Sequence, residues 1–404
     1  MTRIVRQLRV WLGADPVGRL TLDDSSRCMF QLEATYRQRY PRPVLGQQFE
    51  DDPHSARHAR GRLPAWFANL LPEGALRELV ERDVGQSEFE LLAHLGRDLP
   101  GAVRALAELP GADAPSDTAA KAVERGLVHP TDGWHFSLAG VQLKFSALRT
   151  DRGMTVPVSG QGGDWILKLP DLRFPGVPAN EYATMRWAAA SGIQTPEFEL
   201  LPLSLVSGLP AYSIPRAESH AFAIRRFDRP TPGQRVHMED FAQVLGLFPQ
   251  EKYAKFNYET IARLTLVLSG EAGLADLIRR LVFMLASGNG DAHHKNWSLL
   301  YPDGLRAALS PAYDQVATVL YLPDDRLALN LGGSKRWEDA SLESFRRLAR
   351  KIDFDEARVA IWAQHAVANI RQAWRDHAAD WGYAAEAIAH LNDHMARVPL
   401  LSAE

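Results

Sequence analysis

Asp291, Asn296 and Asp314 have the types and the spacing of a phosphoryl-transfer centre. In the run Asn289-Gly290-Asp291-Ala292-His293-His294-Lys295-Asn296 a carboxylate is followed five positions later by a carboxamide, and a second carboxylate comes eighteen residues after that. In such a centre the first Asp takes the proton of an attacking hydroxyl, while the Asn and the later Asp hold Mg²⁺ on the phosphates of ATP. The intervening residues explain how they meet. Trp297 to Tyr301 reads as a short strand, Pro302-Asp303-Gly304 as a turn, and Leu305 to Leu309 as the return strand. Opposed strand residues lie roughly 5 Å apart, so the hairpin sets Asn296 alongside Asp314 within reach of one shared cation. The spacing alone leaves two other readings open. D-x-x-x-x-N also arises by chance, because Asp and Asn populate turns. Asp291, His293 and His294 would equally suit zinc, although the sequence has no H-E-x-x-H or comparable companion cluster and its other eleven His are scattered.

Phosphoryl transfer needs further parts upstream, and each has a candidate. Ser137-Leu138-Ala139-Gly140-Val141-Gln142-Leu143-Lys144 is a small-residue turn between two strand-like runs, where backbone N–H groups can approach phosphate and Lys144 adds charge; an ordinary β-turn with a solvated lysine is the plain alternative. In Trp165-Ile166-Leu167-Lys168-Leu169-Pro170 a single Lys interrupts an apolar strand, where an unpaired charge is costly. Its partner is a phosphate or a carboxylate, with Glu181 on the following helix a candidate, unless the strand is an edge and Lys168 points to water. Ala223-Ile224-Arg225-Arg226-Phe227-Asp228-Arg229 ends a strand just before the helical region, the position of an adenine-binding hinge.

Composition frames these parts. The chain has 404 residues, 46% hydrophobic and 24% charged, room for two or three ordinary globular domains. A net charge of −3 does not describe a nucleic-acid binder acting by bulk electrostatics. Cys28 is the only cysteine, so no intrachain disulfide forms and a reducing compartment is expected. Without a run of about 18 apolar residues or the apolar core of a signal peptide, a soluble cytoplasmic protein is expected.

The order of elements reads strands first, helices after. Arg9 to Leu12, Val17 to Leu22 and Cys28 to Glu33 form a small meander, followed by helices at Pro64 to Leu71, Gly74 to Asp83 and Ser87 to His94. Residues 1–109 therefore read as an N-terminal α/β module and the Ala-, Pro- and Gly-rich 110–130 as a linker. Residues 131–230 are strand-rich: Trp134 to Leu138, Leu143 to Arg149, Thr155 to Val158, Trp165 to Leu169, Leu200 to Leu203, Ala211 to Ile214 and Phe222 to Phe227. One helix breaks the series, with Asn180 as its N-cap and Gly192 closing it. Residues 231–404 are helical, with helices at Met238 to Leu245, Tyr258 to Leu268, Gly273 to Ser287 and Ser341 to Ile352 and two more to the C-terminus. The fold class expected is α+β: a bilobal protein-kinase-like fold with a small N-terminal α/β subdomain and a helical C-terminal lobe.

Taken together the motifs resemble the HipA-type serine/threonine kinases, the toxin components of bacterial toxin–antitoxin systems. The residues that carry the resemblance are the Ser137 to Lys144 loop, Ile166-Leu167-Lys168-Leu169-Pro170, Asn180-Glu181-Tyr182, Arg226-Phe227-Asp228-Arg229, Met238-Glu239-Asp240-Phe241, Lys252-Tyr253, the Asn289 to Asn296 loop and Pro311-Ala312-Tyr313-Asp314. The N-terminal module matches through Val17-Gly18-Arg19-Leu20 and Phe67-Ala68-Asn69-Leu70-Leu71-Pro72-Glu73-Gly74. The matches follow the family's order from about residue 5 to 375.

The resemblance implies a role for each. Asp291 is the catalytic base, and Asn296 and Asp314 are the Mg²⁺ ligands. Ala139, Gly140, Val141, Gln142, Leu143 and Lys144 form the ATP phosphate loop, and Lys168 contacts phosphate. Arg225, Arg226 and Phe227 are the adenine hinge, with His293 and Tyr313 near the nucleotide. Ser137, opening the loop, is the autophosphorylation site, where a phosphate of about −2 charge competes with the nucleotide. ATP and Mg²⁺ are the implied cofactors. The implied partners are a small helix-turn-helix antitoxin (HipB-like), an aminoacyl-tRNA synthetase as substrate, and operator DNA through the antitoxin. Two residues depart from the pattern: Arg225 stands where an acidic residue is common, and His294 is bulkier than the small or apolar residue expected. A silent co-repressor scaffold and a kinase with a small-molecule substrate are the alternatives.

Overall fold

The computed structural model describes residues 6–108, 143–157, 163–209, 215, 217–322 and 324–402. The expected strands at Trp134 to Leu138 and Ala211 to Ile214, the 110–130 linker, and Ser137, Ala139, Gly140, Val141 and Gln142 of the expected phosphate loop lie outside the described residues.

The N-terminal module is an antiparallel sheet of β1 (Arg6–Leu12), β2 (Asp15–Leu22), β3 (Arg27–Leu32), β4 (Arg57–Arg60) and β5 (Val103–Ala107), ordered β4-β3-β2-β1-β5. Alternation sends Leu8, Val10 and Leu12 inward from β1. They meet Phe30, Phe49, Trp66 and Phe67, whose rings pack edge-on or tilted 4.6–6.5 Å apart. Helices α1 (Ala34–Gln38), α2 (Gln47–Asp51), α3 (Ala65–Ala68), α4 (Gly74–Val84) and α5 (Glu88–Leu95) complete the module. Strand β4, with the sequence Arg57-His58-Ala59-Arg60, has no apolar alternation to announce it; it exists because β3 offers an edge.

The second sheet holds β6 (Lys144–Thr150), β7 (Gly153–Thr155), β8 (Trp165–Lys168), β9 (Phe198–Pro202), β10 (Val206–Ser207) and β11 (His220–Arg225) in the order β10-β7-β6-β8-β11-β9. Helix α6 (Val177–Ala190) packs on β11 and β9. Asn180 is not its N-cap. The helix begins four residues earlier than that role requires: Gly176, left-handed at φ 72°, is the cap before Val177, and Pro178 fits the first turn, whose N–H groups have no intrahelical acceptor. Asn180 is buried inside the helix, donating to the Ala317 carbonyl (3.1 Å) and accepting from the Ala317 N–H (3.0 Å).

Helices dominate the rest: α7 (Phe241–Val244), α8 (Tyr258–Ser287), α9 (Leu342–Lys351), α10 (Glu356–His377), α11 (Ala385–Arg397) and α12 (Pro399–Ser402). Helix α8 is two helices broken at Gly270, whose φ of 71° and ψ of −171° suit glycine alone. Residues 280–287 of its second half are buried all round, and Leu277, Leu281, Phe283 and Leu285 lie in a core that includes Trp187 and Trp374. The helix expected from Met238 starts later. His237–Asp240 is strand β12, paired with β13 (Ser298–Tyr301), which pairs in turn with β14 (Ala308–Leu309). Asp240 then caps α7 in a reciprocal capping box with Gln243, so the helix cannot extend back through Met238.

The three parts are pinned by buried polar contacts. Glu239 of β12 accepts from Trp66 Nε1 (3.1 Å), the Gln47 N–H (2.9 Å) and Tyr301 Oη (2.6 Å). Where the second sheet ends, Arg226 and Arg229 bind Asp228 (2.9 and 2.7 Å) and Asp98 of the N-terminal module (3.4 and 3.1 Å). The Gly101 N–H donates to Asp228 (2.8 Å), and Arg229 donates to the Gly101 and Leu99 carbonyls. Burial pushes the Asp228 pKa up, but the two guanidinium groups outweigh it and hold it at about 2. Removing this carboxylate leaves two buried cations to share Asp98 alone. Asp228→Ala should therefore cost about 3–5 kcal/mol of unfolding free energy in denaturant titration; a loss within the ordinary surface range would show the network is not structural.

Candidate active site

The β13–β14 hairpin forms where the sequence expects one, with a return strand of Ala308–Leu309 in place of Leu305 to Leu309. It returns the chain so that the Ser310 N–H donates to the Ser298 carbonyl (2.9 Å), and Tyr313 Oη lies 2.6 Å from Ser298 Oγ and donates to the Lys295 carbonyl (2.9 Å). Asn289 closes the gap from the other side, donating to the Asp314 carbonyl at 3.3 Å. Asp314 itself has a φ of 53°, the left-handed region that Asp tolerates better than most residues.

Lys168 stands at the end of β8, only 5% exposed. Its ammonium bonds Glu181 on α6 at 2.5 Å and also the Asp314 carboxylate. Burial works against the Lys168 charge, but Asp314 and Glu181 outweigh it and raise its pKa, so it remains an ammonium. Lys168 and Lys144, in turn, overcome burial and hold Asp314 well below the usual carboxylate range. Lys144 lies directly across the sheet from Lys168, and its ammonium makes no hydrogen bond or ion pair among the described residues. Two facing lysines repel one another, an arrangement that suits a polyanion. Leu143, by contrast, is buried in the sheet's core, and its carbonyl receives the Leu169 N–H (3.0 Å).

The loop around Asp291 is tightly held. Its carbonyl accepts from the His293 N–H (2.7 Å) and from Asn296 Nδ2 (2.9 Å), and its N–H donates to Asn289 Oδ1 (3.1 Å). Asp291 is exposed, and its carboxylate receives Tyr253 Oη at 2.5 Å. Burial, then Asp314 and Asp325, raise the Asp291 pKa; Tyr253 and Lys252 oppose them. The Gly290 N–H donates to Thr318 Oγ1 (2.7 Å), which in turn contacts the Asp325 carboxylate. Because Asn296 spends its amide nitrogen on the Asp291 carbonyl, its Oδ1 is left as an acceptor. Asn296 and Asp314 thus offer only oxygen, the donor set that suits Mg²⁺. Among the described residues no three His, Cys, Asp or Glu side chains form a metal cage, so Asp291, His293 and His294 are not a zinc triad. Burial lowers the His293 pKa to about 3, so its imidazole is neutral.

At the hinge, the three residues have different fates. Arg225 is half-exposed, bound to Glu197 (3.4 Å) and the Pro230 carbonyl (3.1 Å). Arg226 gives its N–H to the Asp164 carbonyl and its guanidinium to the interdomain network, so neither faces a base. Phe227 keeps its N–H free among the described residues, with its ring 5.5 Å from that of Tyr313.

These positions coincide with a family. One family model, described as the HipA-like C-terminal domain, matches residues 136–374, and another, the HipA N-terminal domain, matches residues 8–106. The chain belongs to the HipA family. Two proteins of Sinorhizobium fredii that carry kinase names are relatives: Y4dM, 41% identical over 98% of both chains, and Y4mE, 32% identical over 81% of both. The serine/threonine-protein kinase toxin HipA of Shewanella oneidensis is 24% identical over 64% of both chains. The solved complex of that organism's HipA, HipB and operator DNA contains a chain that superposes with a TM-score of 0.70 at 19% identity, covering 98% of this chain and 96% of that one. The HipA fold, mixed α+β with a sheet-rich first part and a helical second part, is therefore the fold of this chain.

Membership leaves His294 to be explained by this chain. Its Nδ1 lies 2.7 Å from the Lys252 carbonyl, which also receives the His294 N–H (3.3 Å), so the bulky ring pins the neighbouring loop. Two site residues carried no role in sequence. Glu73 bridges Lys252 (2.8 Å) and Lys295 (2.5 Å), and Tyr253 meets Asp291; both lie in family motifs, which was the available signal. Burial pushes the Glu73 pKa up, but Lys295 and Lys252 prevail and bring it from 4.5 to about 2. A depressed carboxylate stabilises the fold above its unfolded pKa and loses that contribution as pH falls through the folded one. Of the acid-induced stability loss between pH 4.5 and 2, Glu73 should account for up to about 3 kcal/mol. Glu73→Gln should remove that component from the denaturation free energy measured against pH; an unchanged slope would refute the ion pairs.

Proposed function

We propose that this HipA-family protein is an ATP- and Mg²⁺-dependent kinase that phosphorylates serine or threonine hydroxyls of a protein. The observation that carries the reading is the Lys168–Glu181–Asp314 cluster set against the Asp291–Asn296 loop. A buried ammonium fixed by a helix glutamate and touching the second acidic residue is what positions and neutralises nucleotide phosphates in kinases.

Each group has one task. Phe227 offers its N–H to the adenine edge, and the Phe227 and Tyr313 rings line the same side of the cleft. Lys144 and Lys168 oppose the phosphate charge. Asn296 and Asp314 would hold Mg²⁺, which when bound neutralises charge on the β- and γ-phosphates. Asp291 takes the acceptor hydroxyl's proton on the carboxylate oxygen that Tyr253 does not occupy.

The finer reading follows the relatives. The Shewanella protein is named a serine/threonine-protein kinase toxin and was solved with HipB and operator DNA. A HipB-like helix-turn-helix antitoxin is accordingly the proposed partner, with DNA reached through it, and an aminoacyl-tRNA synthetase the proposed substrate. Self-phosphorylation at Ser137 is the proposed off-switch, and the cytoplasm the proposed location. Among the described residues no helix is long and apolar enough to cross a membrane.

Two variants separate chemistry from nucleotide binding. Asp291→Asn should bind ATP normally yet transfer phosphate at least ~10²-fold more slowly, the scale of a lost general base. Asp314→Ala should lose Mg²⁺-dependent ATP binding in calorimetry. Unimpaired transfer by the first variant, or wild-type affinity in the second, would remove that residue from its role.

A further inference from the structure

The contacts around Asp291 do not end in the kinase body. Tyr253 Oη donates to Asp291 Oδ1 at 2.5 Å, and the Tyr253 ring stands edge-on to His293, with centroids 4.9 Å apart. Tyr253 is 44% exposed, so the hydrophobic core does not hold it. Its placement comes from its neighbour Lys252, which is fixed at both ends. The Lys252 carbonyl is bound by His294, and the Lys252 ammonium is bound by Glu73 at 2.8 Å. The other oxygen of Glu73 takes Lys295 at 2.5 Å, and Lys295 also reaches the Asn69 carbonyl (3.3 Å). Lys295 precedes Asn296, whose amide returns to the Asp291 carbonyl at 2.9 Å. The contacts close a ring from Asp291 through Tyr253, Lys252, Glu73, Lys295 and Asn296 back to Asp291.

Only one member of that ring comes from the N-terminal module. Glu73 follows α3, whose Trp66 docks on Glu239 while Asn69, just past the helix, docks on the Leu247 carbonyl, and it leads directly into α4. A single carboxylate with one oxygen on each lysine sets the distance between the Tyr253 loop and the Asn296 loop. Solvated surface pairs do not do this: Lys252 and Lys295 are 7% and 8% exposed, so loss of Glu73 leaves two buried ammonium groups repelling one another.

We propose that Tyr253 is a positioning residue for the base Asp291, and that Glu73 makes the N-terminal module part of the catalytic centre by holding the two loops in register. Tyr253 fixes one carboxylate oxygen, so the other faces the acceptor hydroxyl in a single orientation. The N-terminal module is thereby a requirement for turnover and not an appended domain. This inference rests on the kinase reading above.

The test uses the full chain, Mg²⁺ and γ-labelled ATP, following label transferred to protein at varied ATP, with thermal unfolding in parallel. Tyr253→Phe keeps the ring and removes the hydroxyl. It should lower the saturating transfer rate by ~10–10²-fold, the scale of a misplaced catalytic group, with half-saturating ATP and the unfolding midpoint unchanged. Glu73→Ala should lower the same rate, and Glu73→Asp should restore most of it. An unaltered rate in Tyr253→Phe overturns the proposal while leaving the kinase reading intact. So does a fall in rate that Glu73→Asp does not rescue and that tracks a lowered unfolding midpoint, which is what a purely structural role predicts. Absence of any label transfer by the wild-type chain overturns both.

Discussion

A lysine ammonium buried between two carboxylates is the constraint on which the rest of this molecule depends. Lys168 sits at the end of a strand, Glu181 on a helix, and Asp314 beyond a hairpin from the other half of the chain. Burying a charge costs several kcal/mol unless opposite charges and hydrogen bonds accompany it, and losing one partner of such a group costs ~3–5 kcal/mol. The strand, the helix and the hairpin must therefore arrive together. Their meeting point joins the second sheet to the helical part, so what holds the two in register is also the cluster proposed to meet the phosphates. Lys144 faces Lys168 across the sheet, its side chain without a salt bridge among the described residues; burial lowers its pKa against the pull of Asp314.

A second set of buried charges ties the N-terminal module to this arrangement. Asp98 joins Arg226 and Arg229 next to the hinge, and Glu73 joins Lys252 and Lys295 next to the catalytic loop. Both come from the same module, one to the residues just past β11 and one to the loop that carries Asp291. Glu239 lies between them, receiving donors from Trp66, Gln47 and Tyr301. Ion pairs of this kind demand one geometry where hydrophobic contacts tolerate several, which fits a module whose task is to fix loops.

What could be read in the sequence was local. The hairpin between the Asp291–Asn296 loop and Asp314 was legible, because hairpins announce themselves through alternation and a Pro-Asp-Gly turn. Lys168 was legible because one charge in an apolar strand demands a partner, and Glu181 was near enough in sequence to be named. Long-range pairing was not legible. Strand β4 carries Arg and His where a strand signal would be apolar, and β12 looks helical until β13 and the Asp240 cap claim it. Asn180 has the chemistry of a cap, yet a residue far along the chain, Ala317, sets its role. Arg226 reads as a hinge residue from its position, but Asp98 engages its side chain from the N-terminal module. Glu73 and Tyr253 acquire meaning only when their distant partners are placed. The expected phosphate loop from Ser137 to Gln142 lies outside the described residues, so its part rests on the family motif.

The measurement that bears most directly on the central claim is the fate of the terminal phosphate of ATP. Incubating the full-length chain and its candidate protein substrates with γ-labelled ATP should transfer label to serine or threonine hydroxyls in the presence of Mg²⁺, and none when the cation is chelated. Label appearing only as inorganic phosphate, or ATP left intact at saturating Mg²⁺, would contradict the assignment of this cleft to phosphoryl transfer onto protein.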